Sequence, residues 1–162
     1  MSGRYIALDL NRVRIAALPE GRLPRLGATG TAATIGLPEC ATPAKYNLEW
    51  IAASSAPFGP SPVTVPADGE FSVTGWAIDE RNHSPAGDVD IVVGNTAASA
   101  FYGLDRPDVA RYFGVPAYLG SGFTAKLSGQ DVRKDASTLS VRILAADRSC
   151  YYQGAAVSIS AQ

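Results

Sequence analysis

Hydrophobic alternation is the dominant pattern along this chain. It is clearest at Val89, Ile91 and Val93; at Phe123, Ala125 and Leu127; at Leu139, Val141 and Ile143; and at Ala155, Val157 and Ile159. A period of two sends successive side chains to opposite faces of a strand, so each stretch predicts a strand with one face on a core and the other in water. Tyr46–Ile51 alternates well enough to add another, whereas residues 56–66 carry four prolines and must be loop or sheet edge. In Phe71-Ser-Val-Thr-Gly-Trp-Ala-Ile-Asp79 the parity breaks: Phe71 and Val73 share one face, Trp76 and Ile78 the other. A β-bulge at Gly75, slipping the register once and turning Trp76 inward, is the expectation. For Trp76 a core role competes with stacking on a sugar or aromatic ligand.

Nearer the start, Ile6, Leu8 and Leu10 and then Val13, Ile15 and Ala17 form two alternating trios with a phase change at Asn11-Arg12. Two short strands fit this, and a single helix through Ile6, Leu10, Val13 and Ala17 is the alternative. Residues 19–43 lack periodicity and read as an irregular connection. One helical piece interrupts the strands, in Asp105-Arg-Pro-Asp-Val-Ala-Arg-Tyr-Phe-Gly114. Pro107 suits a first turn, Asp105 can cap it, Asp108 lies near the positive end, and Gly114 can end it. Val109, Tyr112 and Phe113 would form its packing stripe. The expectation is therefore one all-β domain over residues 1–162, an immunoglobulin-like antiparallel β-sandwich of seven to nine strands with one short helix at about 106–113. Residues 5–45 would supply N-terminal strands and an irregular connection, and residues 46–162 the sandwich core.

Composition narrows the function classes. The 162 residues include 16 glycines and 11 prolines, only 18% are charged, and the formal net charge is −1. Such a balance gives no general attraction to nucleic acid or anionic lipid. No run of about 18 apolar residues is present, so direct membrane insertion by a helix in this chain is not expected. The opening Met1-Ser-Gly-Arg4 lacks the apolar stretch of a secretory signal; an excised piece of a longer protein and a complete cytosolic chain both fit.

Candidate chemistry is sparse. His83 is the sole histidine, set among polar and turn residues, so an exposed loop tip is expected; a small hydrolase would need it as a base beside a nucleophile and an orienting acid that no motif supplies. Asp79, Glu80, Asp88 and Asp90 surround one loop without the spacing of a calcium loop, and read as a solvated acidic turn. No metal or cofactor is expected. Arg106 and Asp108 suit a local tie of loop to carbonyl or carboxylate, or a ligand contact. Tyr102, Tyr112, Tyr118, Tyr151 and Tyr152 are candidates for an aromatic surface that grips sugars, and the adjacent Tyr151 and Tyr152 must face opposite ways if extended. Cys40 and Cys150 leave three readings open: a disulfide, two buried thiols, or a reactive thiol.

Read in order, Gly75-Trp-Ala-Ile-Asp79, Tyr102-Gly-Leu-Asp-Arg-Pro-Asp-Val-Ala110 and Ser121-Gly-Phe123 resemble the signature of a bacterial envelope module, an immunoglobulin-like sandwich appended to larger proteins, often after the membrane-spanning part of glycosyltransferase-like or uncharacterised proteins. The likeness runs from about Phe71 to Ala146. It implies a non-catalytic domain at the periplasmic or extracellular face of the cytoplasmic membrane, with the rest of a parent membrane protein or another envelope protein as partner. It also implies a Cys40–Cys150 disulfide and brings no catalytic residues with it. A glycan-binding module is the second expectation, with Trp76, Tyr102, Arg106, Asp108, Tyr118 and Tyr152 as the candidate contacts.

Overall fold

The computed structural model describes residue 34 and residues 36–94, 96–132 and 137–162. The strands expected between Tyr5 and Leu18, and most of the connection expected over residues 19–43, lie outside the described residues.

The described residues form an all-β sandwich of two sheets with one short α-helix. In chain order the strands are β1 (Lys45–Ile51), β2 (Val63–Val65), β3 (Glu70–Asp79), β4 (Ser84–Pro85), β5 (Asp88–Val93), β6 (Thr96–Ser99) and β7 (Phe101–Leu104). The helix α1 (Pro107–Phe113) and a 3₁₀ turn at Pro116–Gly120 follow, then β8 (Gly122–Ser128), β9 (Ser137–Leu144), β10 (Tyr151–Gln153) and β11 (Val157–Ala161). One sheet runs β1-β3-β8-β7 with β4 on β3; the other runs β2-β11-β9-β5-β6 with β10 on β9. All pairings between these strands are antiparallel except β2 on β11.

Eleven strands among the described residues exceed the expected seven to nine because long strands are divided. β10 and β11 lie end to end along β9, opposite residues 142–144 and 137–139, with the Gly154 N–H bonding to the Val141 carbonyl between them. β6 and β7 are separated only by Ala100, where the chain leaves one sheet for the other.

The predicted alternation is what closes the sandwich. Val89, Ile91 and Val93 of β5, Leu139, Val141 and Ile143 of β9, and Val157 and Ile159 of β11 face Phe71 and Val73 of β3 and Phe123, Ala125 and Leu127 of β8 across one core. Each of the valine, leucine, isoleucine and phenylalanine side chains among them contributes about 1.5–3 kcal/mol when fully buried.

The bulge is not at Gly75. β3 pairs with β8 without interruption from Glu70 to Trp76, so Phe71, Val73, Gly75 and Ala77 all face the main core. The register shift is in β1, where Leu48 opposes Gly75 and Trp50 opposes Thr74, leaving Glu49 as the extra residue. Glycine is required at 75 by proximity: a Cβ there would lie 2.1 Å from the Asn47 carbonyl oxygen and 2.9 Å from the Phe123 ring. Trp76 consequently points away from the main core.

That outer face is roofed by α1. Trp76 meets Phe113 edge-on at 5.8 Å, and Phe113 meets Tyr118 at 5.7 Å, above a small cluster of Ile78, Val109 and Tyr118. The helix ends as expected at Gly114, whose φ of 67° is left-handed. Two details differ from expectation. Arg106 occupies the N-cap position with no side-chain cap, so Asp105 does not cap, and Tyr112 is 84% exposed because a two-turn helix lying on the sheet has room for only one apolar flank.

Candidate functional site

Arg106 is the hub of the signature. Its Nη1 and Nη2 donate to the two carboxylate oxygens of Glu49 on the β1 bulge, both at 2.8 Å. Its Nε and Nη2 also donate to Asp108 on the first turn of α1. One planar guanidinium thus clamps the edge of the sheet to the helix, with a fork geometry that an ammonium lacks. The hydrogen bonds from Arg106, helped by its charge, hold the Asp108 carboxyl at about 2. Arg106 is raised further above its already high value, chiefly by the bond to Asp108 and then by Glu49, against the opposing effect of burial.

Tyr102 has a comparable role. Its hydroxyl donates to the Ala77 carbonyl at 2.7 Å and accepts from the Ala86 N–H at 2.8 Å, joining the far end of β3 to the loop after β4.

The expected solvated acidic turn is corrected by the structure: Asp79 and Asp90 are wholly buried. Asp79 accepts from the Tyr152 hydroxyl, the Ala146 N–H, and the amide and N–H of Asn82. Burial acts to raise its carboxyl, but these bonds outweigh it and the group sits below 3.8. Burial and the bond to Asp79 push Tyr152 up to about 12. Asp90 accepts from the N–H and hydroxyl of Thr34 and from Ser99. Glu80 stays exposed, 3.7 Å from Lys45. Among the described residues no His, Cys, Asp and Glu group converges on a metal position.

The aromatic candidates do not form a surface. Tyr118 and Tyr152 are 2% and 3% exposed, Tyr102 is half-buried against the main core, and Trp76 is half-buried under α1. None presents an open ring face in a shared row. Tyr151 and Tyr152 do face opposite ways, the former carrying the Arg142 guanidinium 5.0 Å above its ring. His83 is exposed in the turn after β3, its N–H bonded to the Glu80 carbonyl.

Tyr112 stands exposed on α1, and two further exposed aromatics lie beside β1, at Trp50 (49% exposed) and Phe58 (51%). After β1 the chain reverses at Ala52, φ 51°, with Ile51 and Ser54 exchanging backbone hydrogen bonds. Residues 55–59 then fold back beside β1, and Trp50, Phe58, Asn47, Glu49 and Ser55 line an open depression of about 560 Å³ with Pro57. Strict alternation would have put Trp50 on the same face as buried Leu48; the extra residue Glu49 turns it out. The sequence signals for this depression are Trp50 and a phenylalanine, Phe58, in a proline-rich loop.

Cys40 and Cys150 form a disulfide, with Cα atoms 5.2 Å apart. The bond anchors a short segment that pairs in parallel with β10, Cys40 N–H bonding to the Tyr151 carbonyl and Tyr151 N–H to that of Pro38. No helix among the described residues is long and apolar enough to cross a membrane. Comparison with protein-family models, curated proteins and solved structures finds no match to this chain.

Proposed function

We propose that this chain is a non-catalytic accessory domain of immunoglobulin-like kind, carried outside the cytoplasm by a larger bacterial envelope protein and serving interaction or structural presentation. The observation that carries this reading is the engagement of Asp79, Tyr102, Arg106 and Asp108 in holding the fold. Arg106 and Asp108 clamp β1 to α1, Tyr102 ties β3 to the β4 loop, and Asp79 ties the end of β3 to the turn at Asn82, to Ala146 after β9 and to Tyr152 on β10. The disulfide supports an oxidising compartment, since such bonds persist there and are rare in reducing cytosol.

The test is removal of residues 34–162 from the full-length protein in its host, followed by membrane fractionation and cross-linking of the remainder. Loss of normal assembly or location is expected, with any chemistry of the remainder retained. Unchanged assembly, location and activity would contradict the proposal.

A further inference from the structure

The depression beside β1 brings exposed aromatic rings and polar side chains to one place. Two aromatic rings, Trp50 and Phe58, are each about half exposed at its rim. The Asn47 amide, the Ser55 hydroxyl and the Glu49 carboxylate line the same depression. Each Glu49 oxygen receives a single hydrogen bond from Arg106, so each keeps acceptor capacity while the group is fixed in place. A carboxylate held by a second residue in this way is preorganised to receive donors.

We infer that this depression is a saccharide-binding site, in which Trp50 and Phe58 stack on sugar ring faces and Asn47 and Arg106-held Glu49 take up hydroxyls. A pyranose offers axial C–H groups on its face and hydroxyls on its edge, which matches aromatic faces flanked by an amide and a carboxylate. Other ligand classes match less well. The core of a protein interface is depleted in charge and extends well beyond a depression of this size, and an anionic lipid or nucleic acid would meet Glu49 at the rim. Arg106 is then a positioning residue: it touches no sugar, and its fork aims Glu49. This gives the clamp a consequence beyond stability, because the signature fixes a group at the recognition site. The inference rests on the reading of the chain as an extracytoplasmic interaction domain and supplies that domain's ligand class.

The chain has two tryptophans, so a Trp76→Phe variant leaves Trp50 as the sole indole reporter. Its fluorescence would be titrated with soluble cello-, xylo-, manno-, malto- and chito-hexaose. The expected result is a saturable shift in the Trp50 emission with at least one hexaose. In calorimetric titrations on the Trp76-containing protein, Trp50→Ala and Phe58→Ala should each weaken binding at least ~10-fold, Trp50→Phe should retain most of it, and Arg106→Lys should weaken it ~3–10-fold at temperatures where the variant is fully folded by circular dichroism. Trp50 and Phe58 are half exposed, so their replacement leaves the core intact and the comparison meaningful. Failure of all five hexaoses to shift the emission, or affinity indifferent to Trp50→Ala, overturns the inference. The domain-removal experiment is independent of sugar, so an assembly defect combined with no hexaose binding would sink the saccharide site and leave the accessory-domain reading standing.

Discussion

At the scale of single residues, the conspicuous polar groups of this chain are structural partners, and Arg106 and Asp79 show how differently two such residues were legible. The string Arg106-Pro-Asp108 allowed a loop tie to be read because Pro107 and Gly114 frame a helix whose start needs polar partners. That Arg106 also reaches Glu49, 57 residues away, has no local sign. Asp79 looked like part of a wet acidic turn because a cluster of carboxylates carries no mark of burial; its partners Tyr152 and Ala146 lie 73 and 67 residues downstream. Its environment makes a prediction with a definite sign. A carboxyl held below its ordinary value contributes stability that is fully present above the unfolded pKa, near 3.8, and is lost as pH falls through the lower folded value. The melting temperature should therefore fall on acidification below about pH 4. Asp79→Asn should melt lower at neutral pH and show a shallower acid limb. Asp108 and Asp147 are also held low, so the limb is reduced and not abolished. Parallel acid limbs in melting curves of the two proteins would contradict this role. Tyr152 acts at the opposite extreme, its contribution present below pH 10 and lost as pH rises through about 12.

At the scale of elements, the four clean alternations became strands because their inward side chains are aliphatic or aromatic at every second position, and a strand has only two faces to offer. Residues 155–156 fell outside β11, where the chain bends between its two halves along β9. What alternation could not reveal was the side on which the register slips. A glycine inside a strand marks either a bulge or a close backbone approach, and the sequence of β3 is compatible with both. The structure selects close approach at Gly75, places the bulge at Glu49, and thereby turns Trp50 outward and leaves Trp76 to the helix. Gly75→Ala should accordingly be severe. The obstacle is the Asn47 backbone carbonyl, which cannot rotate aside as a side-chain tip could, so β1 must move off β3. A loss of about 3 kcal/mol or more in urea denaturation is expected. A loss under about 1 kcal/mol would show that β1 is more yielding than its pairing with β3 implies.

At the scale of the molecule, two anchors hold the segment before β1 against the second sheet. Thr34 is bonded to Asp90 on β5, and Cys40 is linked to Cys150, immediately before β10. The disulfide joins positions 110 residues apart, which in the chain-entropy account restricts the unfolded chain enough to stabilise the fold by roughly 4–5 kcal/mol. The spacing of two distant cysteines left this pairing undecided in the sequence; the resemblance favoured it, and the parallel pairing of residues 38–40 with β10 supplies the geometry that brings the sulfurs together. The bond also connects fold to function, because the proposed accessory domain works outside the cytoplasm and its cysteines must meet an oxidising environment. Trapping thiols in the native host tests this most directly: cells are quenched in acid, free thiols are alkylated under denaturing conditions, and the labels on Cys40 and Cys150 are counted by mass spectrometry with and without prior reduction. No labelled cysteine is expected before reduction, and two after it. Two labelled cysteines without reductant would contradict this expectation.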